Sequence, residues 1–212
     1  DSGFTKLYNV NGGLTDFYNQ GIESNPCQGL EIVTTVPYKM LSSKELNANI
    51  KQGKSYHIID LRSDSIFRGI STEKTKAEGH FDDAVSMPFE KLKANSAFTI
   101  PAKPILLVDE YGDESPEAAK LLFEKGYKDV SILFDGMDGW VDHVTNTTEK
   151  PSVKWTRNIS YTLLPADEFN RIVASKKEFT LIDVRTKDEF NNASKNYWQN
   201  IGQIKGAINI PF

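Results

Sequence analysis

Cysteine occurs once in this 212-residue chain, at Cys27, so no internal disulfide can staple the fold and any thiol chemistry rests on one side chain. Cys27 sits in NPCQG, with no helix start after it and no neighbouring Lys, Arg or His to favour a thiolate, which reads as an incidental linker thiol. Positive charge is not in excess. The 25 Lys and Arg against 29 Asp and Glu leave a net charge of −4, and no basic block interleaved with aromatics is present, so a nucleic-acid partner is not expected. Long apolar runs are missing too: SILF and ILLV are far too short to cross a bilayer, and no charged N-terminal region leads into an apolar stretch, so no membrane partner is expected. Cytoplasm and periplasm are both compatible with this composition.

What the chain does contain is a repeat. Shifting it by 123 positions brings Asp60-Leu61-Arg62 onto Asp183-Val184-Arg185, Phe67 onto Phe190, Gly79 onto Gly202, Ala84 onto Ala207 and Pro88-Phe89 onto Pro211-Phe212, without a gap. The same shift carries Gly3-Phe4 onto Gly126-Tyr127 and Gly13-Leu14 onto Gly136-Met137, with Phe17 on Trp140. One unit is complete and two are partial: 1–22 reads as the end of a preceding unit, 37–148 as the whole unit, and 159–212 as the first half of a following one. Glu23 to Val36 and Asn146 to Asn158 read as linkers.

Within the complete unit, Ser42 and Glu45 form a capping box ahead of a helix that Gly53 can stop. The strand YHIIDL follows, then a polar helical segment, AVSMP, the helix EKLKANSAF, the strand PILLV, the helix PEAAKLLFEKG, the strand VSILF and a last helix at Trp140. Apolar strands alternating with helices predict an α/β fold with a parallel sheet covered on both faces, whose ligands lie beyond the carboxyl ends of the strands.

The strand PILLV opens into VDEYGDESPEAAKLL, a tight loop feeding a helix N-terminus. Asp109, Glu110, Tyr111, Gly112, Asp113, Glu114 and Ser115 are the candidate site residues there, with Ser115 expected as the N-cap and Pro116 in the first turn. Four carboxylates in so short a stretch invite a Ca²⁺ or Mg²⁺ reading, but their spacing does not match a calcium loop, so no metal site is assigned, and no cofactor is called for. Asp60 with Arg62 and Asp183 with Arg185, placed at strand ends in both copies, are expected to form structural ion pairs. His80, after a glycine and without a nucleophile beside it, is expected to fix a loop before a strand. Trp155, Trp198 and Tyr197 are candidates for packing between units.

The order Asp60-x-Arg62, Phe67, Gly79-His80-Phe81, Ala84-x-x-x-Pro88, Val108 with Gly112 and Ser115, then Gly136 and Trp140 resembles the rhodanese domain, and IGQIKGAINIPF at 201–212 resembles its second motif with Gln203 where histidine is usual. The resemblance covers essentially the whole chain. It implies a rhodanese-like parallel sheet with helices on both faces, repeated in tandem as in thiosulfate and 3-mercaptopyruvate sulfurtransferases. It further implies chemistry in which a loop cysteine becomes a persulfide, with a small sulfur-containing anion as the parent protein's substrate and neighbouring rhodanese-like units as packing partners. By the same resemblance, Asp109 stands where the catalytic cysteine stands and Glu114 where an arginine often precedes the serine. A carboxylate cannot store sulfane sulfur, and like charges about 5 Å apart repel by roughly 1–3 kcal/mol. The expectation is a degenerate active-site loop in which Asp109 enters the N–H nest itself, within a domain of structural or lid role, no catalytic residue being assigned to this chain. A non-enzymatic rhodanese-like binding or regulatory module is the alternative.

Overall fold

The computed structural model describes residues 35–72, 78–94, 99, 101–147, 150–159, 161–175 and 177–212; the expected partial unit at 1–22 and Cys27 lie outside them. In the strands HIID and ILLV successive side chains serve opposite faces of one sheet. Ile58, Leu106, Val108 and Leu133 join a buried cluster with Leu46, Met137 and Trp140, while Ile59, Leu61, Leu107 and Ile132 join another with Leu92, Ala118 and Leu122. Both faces are dry, which is why ILLV reads as a continuous apolar run rather than an alternating one.

The chain divides into two compact units, the first ending at Leu164. Its described part contains β1 (Lys39–Leu41), α1 (Ser43–Lys51), β2 (His57–Asp60), α2 (Asp64–Phe67), β3 (Gly79–Phe81), β4 (Val85–Ser86), α3 (Phe89–Ala94), β5 (Ile105–Val108), α4 (Ser115–Glu124), β6 (Val130–Leu133), α5 (Gly136–Thr145) and β7 (Trp155–Arg157). Five strands form one sheet in the order β1-β6-β5-β2-β4, every pairing parallel. Helices α3 and α4 belong to the Ile59 face, α1 and α5 to the Ile58 face. This is the α/β architecture expected, with the carboxyl ends of β2 and β5 at the centre of one edge. Local signals act as read: Ser42 and Glu45 close a reciprocal capping box on α1. Gly126 sits just past α4 with φ +96°, a left-handed turn that glycine enters without a Cβ clash.

Three expectations are corrected. Residues 146–158 do not act only as a linker, because Trp155–Arg157 forms β7, antiparallel to β3 with Phe81 opposite Trp155. Trp155 accordingly packs inside the first unit, edge-on to Trp140 with ring centroids 6.5 Å apart, rather than between units. His80 lies within β3 opposite Thr156, not in a loop before a strand, and its ring stacks on Phe67 at 4.3 Å.

The second unit, Pro165–Phe212, holds α6 (Ala166–Ala174), β8 (Ile182–Asp183), α7 (Lys187–Phe190), a single 3-10 turn (Tyr197–Gln199) and β9 (Ile208–Asn209). β8 and β9 pair in parallel, Ile182 with Ile208 and Asp183 with Asn209. β2 and β4 pair as Ile59 with Val85 and Asp60 with Ser86, the same register one repeat earlier. Tyr197 and Trp198 are exposed within this unit. Among the described residues no helix is long and apolar enough to cross a membrane.

Candidate active site

The loop between β5 and α4 is held from below by the N-terminus of α5. The N–H of Met137 donates to the carbonyl of Asp109 at 2.9 Å, and that of Asp138 to the carbonyl of Glu110 at 3.0 Å. Helix N-termini carry unpaired N–H groups, and here main-chain oxygens of the loop satisfy two of them. The approach demands Gly136, whose φ is +59° and whose Cβ would lie 2.5 Å from the Glu110 carbonyl carbon and oxygen.

Asp109 fills the loop from within. Its carboxylate is fully buried and accepts the N–H of Gly112 at 2.5 Å on Oδ1, and those of Glu114 and Ser115 at 2.7 Å each on Oδ2. Three converging backbone donors make an anion nest, and α4 adds the positive end of its dipole. Ser115 is therefore not the N-cap, as local pattern suggested. Glu114 occupies that position with helical angles and no side-chain cap bond, Ser115 is already in the helix, and the capping acceptor comes from Asp109, six residues upstream. No capping rule based on adjacent residues reaches that far. The Ser115 hydroxyl is buried without a hydrogen-bond partner.

Beside the nest lies a second buried charge group. Arg62, almost wholly buried, donates from Nε to Asp60 Oδ1 at 3.0 Å and from Nη2 to Asp60 Oδ2 at 2.7 Å, a bidentate pair, and also from Nη2 to the Gly79 carbonyl at 2.8 Å. Its Nη1 reaches Glu110 Oε2 at 3.1 Å, tying the end of β2 to the loop. Burial works to lower the Arg62 pKa, but Asp60 and Glu110 together hold it above its ordinary value. One guanidinium faces two carboxylates, and Asp60 takes most of it. Burial then raises the Glu110 carboxyl to about 7 against the pull of Arg62, with Asp138 and Asp60 adding to the rise. Glu114 is also raised, first by burial and then by Asp109, Asp113 and Glu90.

A cleft of about 450 Å³ opens above these groups, beyond the carboxyl ends of β2 and β5, lined by Leu61, Arg62, Ser63, Ile66, Pro88, Phe89, Glu90, Glu110, Tyr111, Asp113 and Glu114. The structure thus brings together Arg62 and most of the candidate loop, while Asp60 stands behind Arg62 and Asp109 and Ser115 lie beneath the cleft. His80 is not among the lining residues, and Asp183 and Arg185 belong to the second unit. Pro88, Phe89 and Glu90 line the cleft without standing out in the sequence as site residues; the recurrence of Pro88-Phe89 at Pro211-Phe212 is the one signal that points to them. Apart from Arg62 and the Tyr111 phenol, every ionisable lining group is a carboxyl, so the cleft disfavours anions, and among the described residues no three His, Cys, Asp or Glu side chains could together hold a metal ion.

Known proteins resemble this chain in sequence. The rhodanese-like domain profile matches residues 42–143. The thiosulfate sulfurtransferase GlpE of Shewanella oneidensis is 30% identical over 105 residues, covering 48% of this chain and 95% of that protein. A thiosulfate sulfurtransferase of Gallus gallus is 28% identical over 110 residues, and the match spans 48% of this chain but only 38% of that enzyme. Among solved structures, the thiosulfate sulfurtransferase from Pseudomonas aeruginosa shares 20% identity at a TM-score of 0.41, over 82% of this chain and 31% of that one. With a loop–helix cradle at the end of β5, an Asp-Arg pair at the end of β2, and a relative matched over nearly its whole length, the chain belongs to the rhodanese-like sulfurtransferase family.

Proposed function

We propose that the chain is part of a tandem rhodanese-like sulfurtransferase of the thiosulfate or mercaptopyruvate type, in which the domain at 37–148 is catalytically silent and serves as a structural or lid unit. One observation carries this reading: the three-donor nest that would hold an anionic nucleophile is filled by the Asp109 carboxylate. Sulfur transfer by this route needs a thiolate that attacks the sulfane sulfur of thiosulfate, forming an S–S bond while the bond to sulfite breaks and sulfite leaves with the electron pair. A carboxylate offers no comparable bond. The acidic cleft would also repel a dianionic donor at its mouth. On this reading 159–212 is the first half of a following unit and 1–22 the end of a preceding one, each with packing contacts to its neighbours, and the parent protein takes a small sulfur-containing anion. Neither nucleic acid nor membrane is proposed as a partner.

The test separates a missing nucleophile from a closed site. Asp109→Cys should show little persulfide by mass spectrometry after thiosulfate exposure, because Glu110, Asp113 and Glu114 still surround the loop. Adding Glu114→Arg reverses one charge at the helix entrance, and the double variant should exceed the single one, by more at low salt than at high salt. Full persulfidation of the single variant at low donor concentration, independent of ionic strength, would show that charge does not close the site.

A further inference from the structure

The cleft above the nest carries more negative charge than its own side chains neutralise. Its floor is apolar, with Leu61 and Phe89 buried and Ile66 and Pro88 half-buried, and its rim is acidic. Glu110 is the least exposed of the lining carboxyls, its side chain only 13% accessible. It spends Oε2 on Arg62, while no hydrogen bond among the described residues reaches Oε1. Arg62, the one basic lining group, already gives Nε and Nη2 to Asp60. The exposed carboxyls of Asp113 and Glu114 make no hydrogen bond among the described residues.

Lys93 shows what chemistry such a surface takes. Its Nζ lies 4.4 Å from the centroid of the Phe89 ring and pairs with Glu90 Oε1 at 2.6 Å, so an ammonium at the edge of the cleft uses an aromatic face and a carboxylate together. Glu90 is thus answered from within the chain, and Glu110 is not. Around Glu110 stand Arg62 and Asp60 on β2, Asp138 on α5, and Tyr111, Asp113, Glu114 and Glu90 in the same cleft, with Arg62 the only cation among them. Burial first, then Asp138 and Asp60, hold its carboxyl up at about 7 against the pull of Arg62. Because no three acidic or imidazole groups among the described residues could hold a metal ion, the cation that fits here is organic.

We propose that the cleft is a docking site for an arginine side chain carried by an extended segment of a partner protein, with the guanidinium at Glu110 Oε1 and the aliphatic stem along the apolar floor. A guanidinium is less strongly hydrated than an ammonium and carries five donors, which suits a carboxyl largely shielded from water. The volume of about 450 Å³ is more than one side chain fills and leaves room for the residues on either side of the arginine, near Asp113 and Glu114. The proposal rests on the silent-domain reading, because a working nucleophile would need the same space for an anionic donor.

The test uses the full chain and a dye-labelled peptide of alternating glycine and arginine, followed by fluorescence anisotropy, with citrulline replacing arginine in an uncharged control. Arginine does not titrate near neutrality and Glu110 must be ionised to receive it, so affinity should rise about tenfold from pH 6 to pH 8 and fall at high salt. Glu110→Gln should bind about tenfold more weakly at pH 8 and lose that pH dependence. Asp142→Asn removes an acidic group outside the cleft and should bind as the parent does. Equal binding of the citrulline peptide, affinity flat with pH, or a loss in Asp142→Asn as large as in Glu110→Gln would overturn the proposal. So would spermidine bound as tightly as the peptide, which would make the cleft a small-molecule site, or dimerisation abolished by Glu110→Gln, which would make a second copy the occupant. Peptide binding involves no thiol, so a negative result here leaves the persulfide experiment on Asp109→Cys standing, and the reverse.

Discussion

Replacing Asp109 tests whether one side chain holds the loop together. Its carboxylate is fully buried and takes three backbone N–H groups, two of them at the start of α4. In Asp109→Asn the amide oxygen can keep the Glu114 and Ser115 donors at the Oδ2 position, but its NH₂ then faces the Gly112 N–H, donor against donor. One orphaned donor costs about 1–3 kcal/mol, and turning two charge-assisted bonds into neutral ones removes roughly 1 kcal/mol more. The helix-end interaction lost with the charge adds about 0.5 kcal/mol, for a total near 3 kcal/mol. In Asp109→Ala all three donors lose their acceptor, and water entering from the neighbouring cleft restores part of the loss, which leaves about 5 kcal/mol. Single domains hold only about 5–15 kcal/mol in all, so the alanine variant should be near the limit of folding. Urea unfolding followed by tryptophan fluorescence is a suitable assay, because Trp140 is fully buried in the first unit whereas Trp198 is already exposed. With a slope of about 2 kcal/mol per molar urea, Asp109→Asn should move the midpoint down by about 1.5 M. An alanine variant within about 1 kcal/mol of the parent would refute the reasoning, since the nest would then be stable without its anion.

The Glu110 carboxyl gives a pH prediction. Its folded pKa of about 7 lies above its ordinary value of 4.5, so the folded state holds the proton more tightly; the associated stability is complete below pH 4.5 and is lost as pH rises through 7. Glu110→Gln should therefore gain on the parent across that interval, by about 3 kcal/mol at pH 8, and a difference that stays constant with pH would contradict the assignment. Gly136→Ala must place a methyl against the Glu110 carbonyl at positive φ and should cost about 3 kcal/mol, with faster exchange at the Asp138 amide. Gly126→Ala, also at positive φ but with no atom within 4 Å of the added Cβ, should cost only about 1 kcal/mol. Equal losses in a thermal-denaturation comparison would remove the steric argument for Gly136.

The fold was largely legible because its signals are local or periodic. Ile58 and Ile59 sit in a run too apolar for a one-sided strand, and Ser42 with Glu45 marks a helix start within four residues. The entry of the Asp109 carboxylate into the nest could also be read, since its place at the start of the loop puts it beside the loop's N–H groups. What escaped was nonlocal. β7 is only three residues long and is defined by its pairing with β3, about 75 positions upstream in sequence. Its segment WTR is bounded by polar residues that look like linker. The capping of α4 by Asp109 escaped because the local rule favours Ser115, and the contact between Glu110 and Arg62 because the two lie on separate strand ends.

The grip of α5 on the loop has a consequence for how such a site can change. Met137 and Asp138 hold carbonyl oxygens, atoms that every amino acid carries, so the cradle's outline is written in main chain and not in side chains. A substitution at 114, or one at 109 that keeps an anion in the nest, alters the contents while leaving that outline in place. On the proposed reading, chemistry can be erased from this position, or returned to it, by a very few codon changes, provided that each occupant of the nest brings its own negative charge.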